Sequence, residues 1–259
     1  MGLGLVSGIR RGMDKAGRAM FEALLSKYTK PTYNLAGLIT DKNSDFVGDP
    51  AFVKAFEAAR KQAPANHPEW GEVIKWQVHV VLWAAAHSAR LPGDFVECGV
   101  NTGIYSMAVM THLDFASMGD RRFFLLDTFK GFAEETLRDD EKKLMRVSER
   151  KYPDCYEFVK DTLGRIPNAV IIRGAVPATL PQAATDRVAY LSIDMNCVEP
   201  EVAALEHFWP KLASGGIVVL DDYGWPGHQA QKEAHDQFAR SVGTSVLCLP
   251  TGQGIILKA

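Results

Sequence analysis

The chain has few cysteines, and they are scattered. Four occur among 259 residues, Cys98, Cys155, Cys197 and Cys248. None stands in C-x-x-C or zinc-site spacing, which argues against a disulfide framework or a zinc module and predicts reduced thiols in a cytoplasmic compartment. No Ser/Gly/Pro-rich linker interrupts the sequence, so no second catalytic domain is expected. Neither sign of charge is in excess. A formal net charge of -2 gives no long-range attraction for nucleic acid or an anionic membrane, which leaves small molecules as the expected ligands. Long apolar runs are also missing. The mildly apolar start, Met1 to Ile9, is broken by Gly2, Gly4 and Gly8 and ended by Arg10, so neither a signal peptide nor a membrane-spanning helix is expected.

What the chain does have is apolar content, 47%, enough to bury a large core. One run stands out, Gly93-Asp94-Phe95-Val96-Glu97-Cys98-Gly99-Val100-Asn101-Thr102-Gly103. It reads as a strand feeding a glycine-lined turn into a helix that starts near Thr102, the arrangement by which open α/β sheets bind nucleotide-like ligands. A second strand, Arg122 to Asp127, also ends in an acid, and a carboxylate there can accept hydrogen bonds from both ribose hydroxyls. Dinucleotide sites use G-x-G-x-x-G, whereas the spacing here is E-x-G-x-x-x-G. An acid before the first glycine is a poor neighbour for a pyrophosphate and a good one for a cationic sulfonium. S-adenosylmethionine is therefore favoured over NAD.

Two later strands end in acids as well, Tyr190 to Asp194 and Ile217 to Asp221-Asp222. In a parallel sheet these ends share one edge with Glu97 and Asp127. A single strand-end Asp is as well read as a helix or turn cap. Three together would repel one another unless protonated or neutralised, and all-oxygen ligation suits Mg2+ or a similar hard ion. Asp194, Asp221 and Asp222 are accordingly the expected metal ligands.

These segments, with Leu126-Asp127-Thr128-Phe129-Lys130-Gly131-Phe132, Arg173-Gly174 to Leu180-Pro181, Glu199-Pro200, Trp209-Pro210-Lys211-Leu212 and Gly215-Gly216, resemble the macrocin O-methyltransferase family over roughly residues 45 to 259. The resemblance implies an S-adenosylmethionine- and Mg2+-dependent enzyme that methylates a sugar hydroxyl of a glycosylated natural product or polysaccharide. It also implies that Glu97, Gly99 and Gly103 shape the cofactor turn, with Asn101 and Thr128 beside them, and that Asp127 holds the ribose. In the family a D-x-D segment supplies first a metal ligand and then the base. Asp194 occupies the first place, but Asn196 occupies the second, and an amide takes no proton at neutral pH. Asp222 and His228 are the nearest substitutes in sequence, so Asn196, Asp222 and His228 are the expected catalytic positions.

The expected fold is α/β, a class I methyltransferase with a mostly parallel seven-stranded sheet, an antiparallel last strand and helices on both faces. Residues 1–90 would form an N-terminal helical extension or cap, and 91–259 the cofactor-binding domain. Helices are expected over Arg10 to Tyr28, from an Asp49-Pro50 cap to about Gln62, and from Ile74 to Ala89. The stripe Trp76, His79, Trp83 and His87 on the last of these is better read as core or subunit interface than as cofactor site. An apolar segment before Asp45, with Met20, Phe21, Leu24 and Leu25, suggests a homo-oligomer. Two rival functions remain: metal-dependent methylation of a catechol-like phenol, and a non-catalytic methyltransferase-like scaffold.

Overall fold

The computed structural model describes residues 30–144 and 152–259, preceded by the isolated positions Gly17, Met20, Ala23, Leu24 and Lys27. The helix expected over Arg10 to Tyr28, with Phe21 and Leu25, lies outside the described residues except at those positions. The chain divides into two units, Met1–Gly48 and Asp49–Ala259. In the first, strands β1 (Tyr33–Leu35) and β2 (Leu38–Thr40) pair antiparallel. The Ala36-Gly37 turn between them has both residues at positive φ, as tight hairpin turns require.

The second unit carries helices α1 (Pro50–Ala59), α2 (Lys75–Ser88), α3 (Ile104–Leu113), α4 (Tyr156–Thr162), α5 (Val198–Phe208) and α6 (Gln229–Ser241). Its strands are β3 (Asp94–Cys98), β4 (Phe123–Asp127), β5 (Ala169–Arg173), β6 (Val188–Ile193), β7 (Leu212–Leu220), β8 (Leu247–Cys248) and β9 (Gly254–Leu257). As the Asp49-Pro50 pair predicts, the Asp49 side chain accepts the Phe52 N–H at 2.9 Å, with proline next to it in the first turn, which satisfies a helix-end donor and presets φ.

The seven strands lie in the order β5-β4-β3-β6-β7-β9-β8. The first five run parallel, and β9 is antiparallel to both β7 and β8. This is the class I methyltransferase arrangement expected from the sequence. Chain order reverses between β3 and β6, and the crevice beyond such a reversal is where open α/β sheets bind ligands.

Alternation along the strands gives the sheet two apolar faces. Val96, Cys98, Phe124, Leu126, Leu191, Ile193, Val218 and Leu220 join one cluster with Ala204, Leu205 and Phe208 of α5 and Phe238 of α6. The other face carries Phe95, Phe123 and Tyr190, whose rings meet one another and Phe115 at centroid distances of 5.1 to 6.3 Å. On this second side α2 packs on β6 and β7, and α1 and α2 both pack on α3.

The stripe on α2 turns away from this core. Gln77, Val78, Val81, Leu82, Ala84, Ala85 and Ser88 are the buried residues, while Trp83 is 57% exposed. His79 meets the Phe52 ring edge-on at 6.3 Å, and His87 Nε2 lies 3.0 Å from the Gly215 carbonyl oxygen. Since α2 is apolar nearly all round, helical spacing alone does not select its buried side.

Candidate functional site

Two glycines shape the turn after β3. Gly99 has φ of 90°, and a Cβ there would stand 1.9 Å from the Asp194 carbonyl oxygen, so the ends of β3 and β6 meet only because residue 99 has no side chain. Gly103, at φ 87°, opens α3, where a Cβ would press on Leu163 at 2.3 Å. Both positions need the left-handed conformation that glycine adopts without strain. Asn101 between them is also left-handed, at φ 50°.

Asp127, at the end of β4, ties this turn to the next. Its Oδ2 accepts the Asn101 N–H at 2.6 Å, and its Oδ1 accepts the Phe129 N–H at 2.6 Å. Burial raises its pKa, and these N–H donors oppose the rise. A carboxylate offers about four lone-pair sites, so both oxygens retain capacity for ligand hydroxyls. Thr128 folds back, donating its hydroxyl to the Gly131 carbonyl oxygen.

A cavity opens at this edge, lined by six of the residues expected from the sequence: Gly99, Asn101, Asp127, Thr128, Asp194 and Asn196. Glu97, Gly103, Asp221, Asp222 and His228 are not among its lining residues. Glu97 is buried and accepts the Ser106 hydroxyl at 2.5 Å. Burial pushes its pKa up to about 8, with the charges of Asp127 and Asp221 adding to the rise.

Asp194 and Asp221 are also raised, each chiefly by burial; for Asp194 the charges of Asp221 and Asp222 come next. Asp221 Oδ1 accepts the Tyr105 hydroxyl at 2.9 Å and the Gln253 amide at 3.0 Å, which partly relieves it. His228 Nδ1 stands 3.9 Å from Asp222 Oδ2 and 2.6 Å from the Gln231 side-chain oxygen. Among the described residues, no three His, Cys, Asp or Glu side chains stand as a group that could hold a metal ion.

Asn196 takes the left-handed conformation, φ 59°, and donates its amide to Asp194 Oδ1 at 3.1 Å. The loop is held from behind by Glu201 of α5. One Glu201 oxygen accepts the Met195 N–H at 3.0 Å and the Gln231 amide at 3.1 Å, and the other lies 3.0 Å from His235 Nε2. Tyr105, Gln253, Glu201 and the cavity-lining Tyr152 were not expected from the sequence. Tyr105 lies in the first turn after Gly103, and Gln253 in the turn that joins β8 to β9. No spacing rule marks either.

The model of the macrocin-O-methyltransferase (TylF) family matches residues 54–245. The chain belongs to that family. Among curated relatives, an 8-demethyl-8-(2,3-dimethoxy-alpha-L-rhamnosyl)-tetracenomycin-C 4'-O-methyltransferase of Streptomyces olivaceus is 32% identical over 150 residues, 51% of this chain and 54% of that protein. The mycinamicin III 3''-O-methyltransferase of Micromonospora griseorubida is 26% identical over 57% of this chain and 62% of its own length. The demethyldecarbamoylnovobiocin O-methyltransferase of Streptomyces niveus is 29% identical over 52% and 54% respectively. The matches thus span between half and two thirds of the length of these relatives. The solved structure of the O-methyltransferase NovP shares the fold at a TM-score of 0.65 and 20% identity, over 79% of this chain and 88% of that one. Calicheamicin methyltransferase CalS11 aligns at a TM-score of 0.55 and 19% identity, over 88% and 98%. No helix among the described residues is long and apolar enough to cross a membrane.

Proposed function

We propose that this chain transfers the methyl group of S-adenosylmethionine to a sugar hydroxyl of a glycosylated natural product or polysaccharide. The observation that carries this reading is Asp127, half-buried at the end of β4 beside the glycine turn that follows β3, with both carboxylate oxygens facing N–H donors and able to accept more. The sugar preference is taken from what the family relatives are named for.

In the transfer, the acceptor oxygen attacks the methyl carbon, the sulfur–carbon bond breaks with its electron pair going to sulfur, and the hydroxyl proton leaves to a base. The protein's part is to align oxygen, carbon and sulfur and to make the oxygen nucleophilic. Asp127 anchors the cofactor by its ribose, and the Gly99 turn lets the backbone approach it. Asn196 is no base. Its amide donates to Asp194, which holds that acid's side chain in place. Asp222, with His228 beside it, is the proposed proton acceptor.

Asp194, Asp221 and Asp222 are of the donor type that a hard divalent ion such as Mg2+ takes, but among the described residues they do not stand as a group that holds one, so metal dependence is proposed from the family resemblance alone. All the donors are oxygens; burial raises both Asp194 and Asp221, and for Asp194 the charges of Asp221 and Asp222 add to the rise, a strain that a cation would relieve. When bound, such an ion would acidify the acceptor hydroxyl.

Mass spectrometry of methyl transfer to a panel of glycosides tests the reading. Chelation should abolish transfer, Mg2+ should restore it, and Asp221→Asn should mimic chelation. Asn196→Asp places a second carboxylate against Asp194, which raises the pKa of one of them and creates a base; the rate at pH 7 should hold or rise. Activity indifferent to chelator and to Asp221→Asn would reduce the acids to structural caps.

A further inference from the structure

The seam between α5 and α6 holds a chain of hydrogen bonds that the reading above leaves unused. His228 immediately precedes α6 and Gln231 lies in its first turn, three residues on, so their side chains are neighbours on one face. His228 Nδ1 stands 2.6 Å from Gln231 Oε1, and Gln231 Nε2 donates to Glu201 Oε1 of α5 at 3.1 Å. Gln231 is 5% exposed and Glu201 2%, so bulk water offers neither side chain a competing partner.

The direction of each bond is fixed by the one behind it. The Met195 N–H points at the same Glu201 oxygen, 3.0 Å away, and a backbone N–H can only donate, so that oxygen is an acceptor. The Gln231 group that faces it is therefore the NH2, which leaves the Gln231 carbonyl oxygen toward His228. Two acceptors do not approach to 2.6 Å, so His228 Nδ1 carries a proton, in the neutral ring and in the imidazolium alike. Asp222 Oδ2, at 3.9 Å from the same nitrogen, is too far to take that hydrogen bond. In the neutral ring the lone pair then sits on Nε2.

We infer that Gln231 is a positioning residue, which holds His228 as the Nδ1–H tautomer so that the ring presents its lone pair at Nε2, and which ties that ring through Glu201 to the backbone of the Asp194–Asn196 loop. The inference rests on the proposed methyl-transfer reading and names the ring atom that the Asp222–His228 pair leaves open to the acceptor hydroxyl. It follows from bond directions and does not depend on the charge of the ring. One amide side chain thus links the segment after β7 to the segment after β6, and each of those segments carries acids assigned to the reaction.

The test is 15N NMR of the full chain labelled in histidine, with S-adenosylhomocysteine present and the His228 signals assigned by their loss in His228→Asn. At alkaline pH, where imidazoles are neutral, the unmodified chain should show His228 protonated at Nδ1. Gln231→Met keeps the length and loses the acceptor, so it should shift the Nδ1–H to Nε2–H ratio about tenfold toward Nε2–H, roughly one hydrogen bond. Gln231→Glu retains an acceptor oxygen and should keep the Nδ1–H tautomer. On a glycoside that the chain methylates, Gln231→Met should lower kcat about tenfold at unchanged KM and unchanged S-adenosylhomocysteine affinity, the last of which also reports a folded variant. His228 protonated at Nε2 in the unmodified chain, or a tautomer indifferent to Gln231→Met, overturns the inference. A raised KM at unchanged kcat overturns its link to the reaction. If S-adenosylhomocysteine fails to bind the unmodified chain, the proposed activity itself falls, a result distinct from the His228 signal.

Discussion

Replacing Glu97 with Gln should make the protein more stable at neutral pH and remove part of its pH dependence. Burial raises the folded-state pKa of Glu97 from an ordinary 4.5 to about 8. The folded chain therefore binds a proton that the unfolded chain releases between those values. Because the folded pKa is the higher, the stability linked to this proton is full below 4.5 and is lost as pH rises toward 8. Over the interval from 4.5 to 7 the loss is about 3 kcal/mol. Gln keeps an oxygen to accept the Ser106 hydroxyl but has no proton to lose. Urea unfolding of both proteins at several pH values isolates the effect, since the other raised acids, Asp127, Asp194 and Asp221, are common to both. The stability difference should grow by about 3 kcal/mol between pH 4.5 and 7 in favour of Glu97→Gln and level off above 8. A difference flat across that range would refute the assignment of a protonated, buried Glu97.

Gly99→Ala puts a Cβ into the Asp194 carbonyl at a φ only glycine favours, so it should cost about 3 kcal/mol or more; an unchanged melting temperature would contradict the close approach of β3 and β6. Glu201→Ala leaves the Met195 N–H, the Gln231 amide and His235 without their carboxylate. Breaking such a buried arrangement should cost about 3–5 kcal/mol, measured by urea unfolding, and a loss under about 1 kcal/mol would mean that water replaces the acid. The exposed Trp83 on α2, with the apolar sequence before Asp45, supports self-association; sedimentation should show a homo-oligomer, and a monomer at all concentrations would end that idea.

The features legible in the sequence were those set by neighbouring residues. Asp49-Pro50 announces α1, and the two glycines announce the turn after β3. Asp127, Asp194 and Asp221 each close or directly follow a run of strand-forming residues. Boundaries shifted where pairing partners decide them. β7 begins at Leu212 rather than Ile217 because Leu212 pairs with Val188 across a register shift in β6. β8 spans just Leu247–Cys248 because these are the residues that pair with β9. The less legible part of the site is made of long-range contacts. Tyr105 reaches Asp221 across 116 residues and Gln253 reaches it across 32, and no local pattern encodes either. The position of Glu97 is of the same kind. Its place before Gly99 suggests a cavity residue, whereas strand alternation puts it on the Phe95 face, against Ser106 of α3.

The central claim is that the edge built by Gly99 and Asp127 binds S-adenosylmethionine, and titration calorimetry of S-adenosylhomocysteine against the full chain and against Asp127→Ala tests it most directly. The account predicts binding to the unmodified chain, little binding of NAD, and a loss of about 1–3 kcal/mol in the variant, the cost of leaving ribose hydroxyls without their acceptor. Equal affinity for NAD and S-adenosylhomocysteine, or an Asp127→Ala variant that binds as the unmodified chain does, would contradict it.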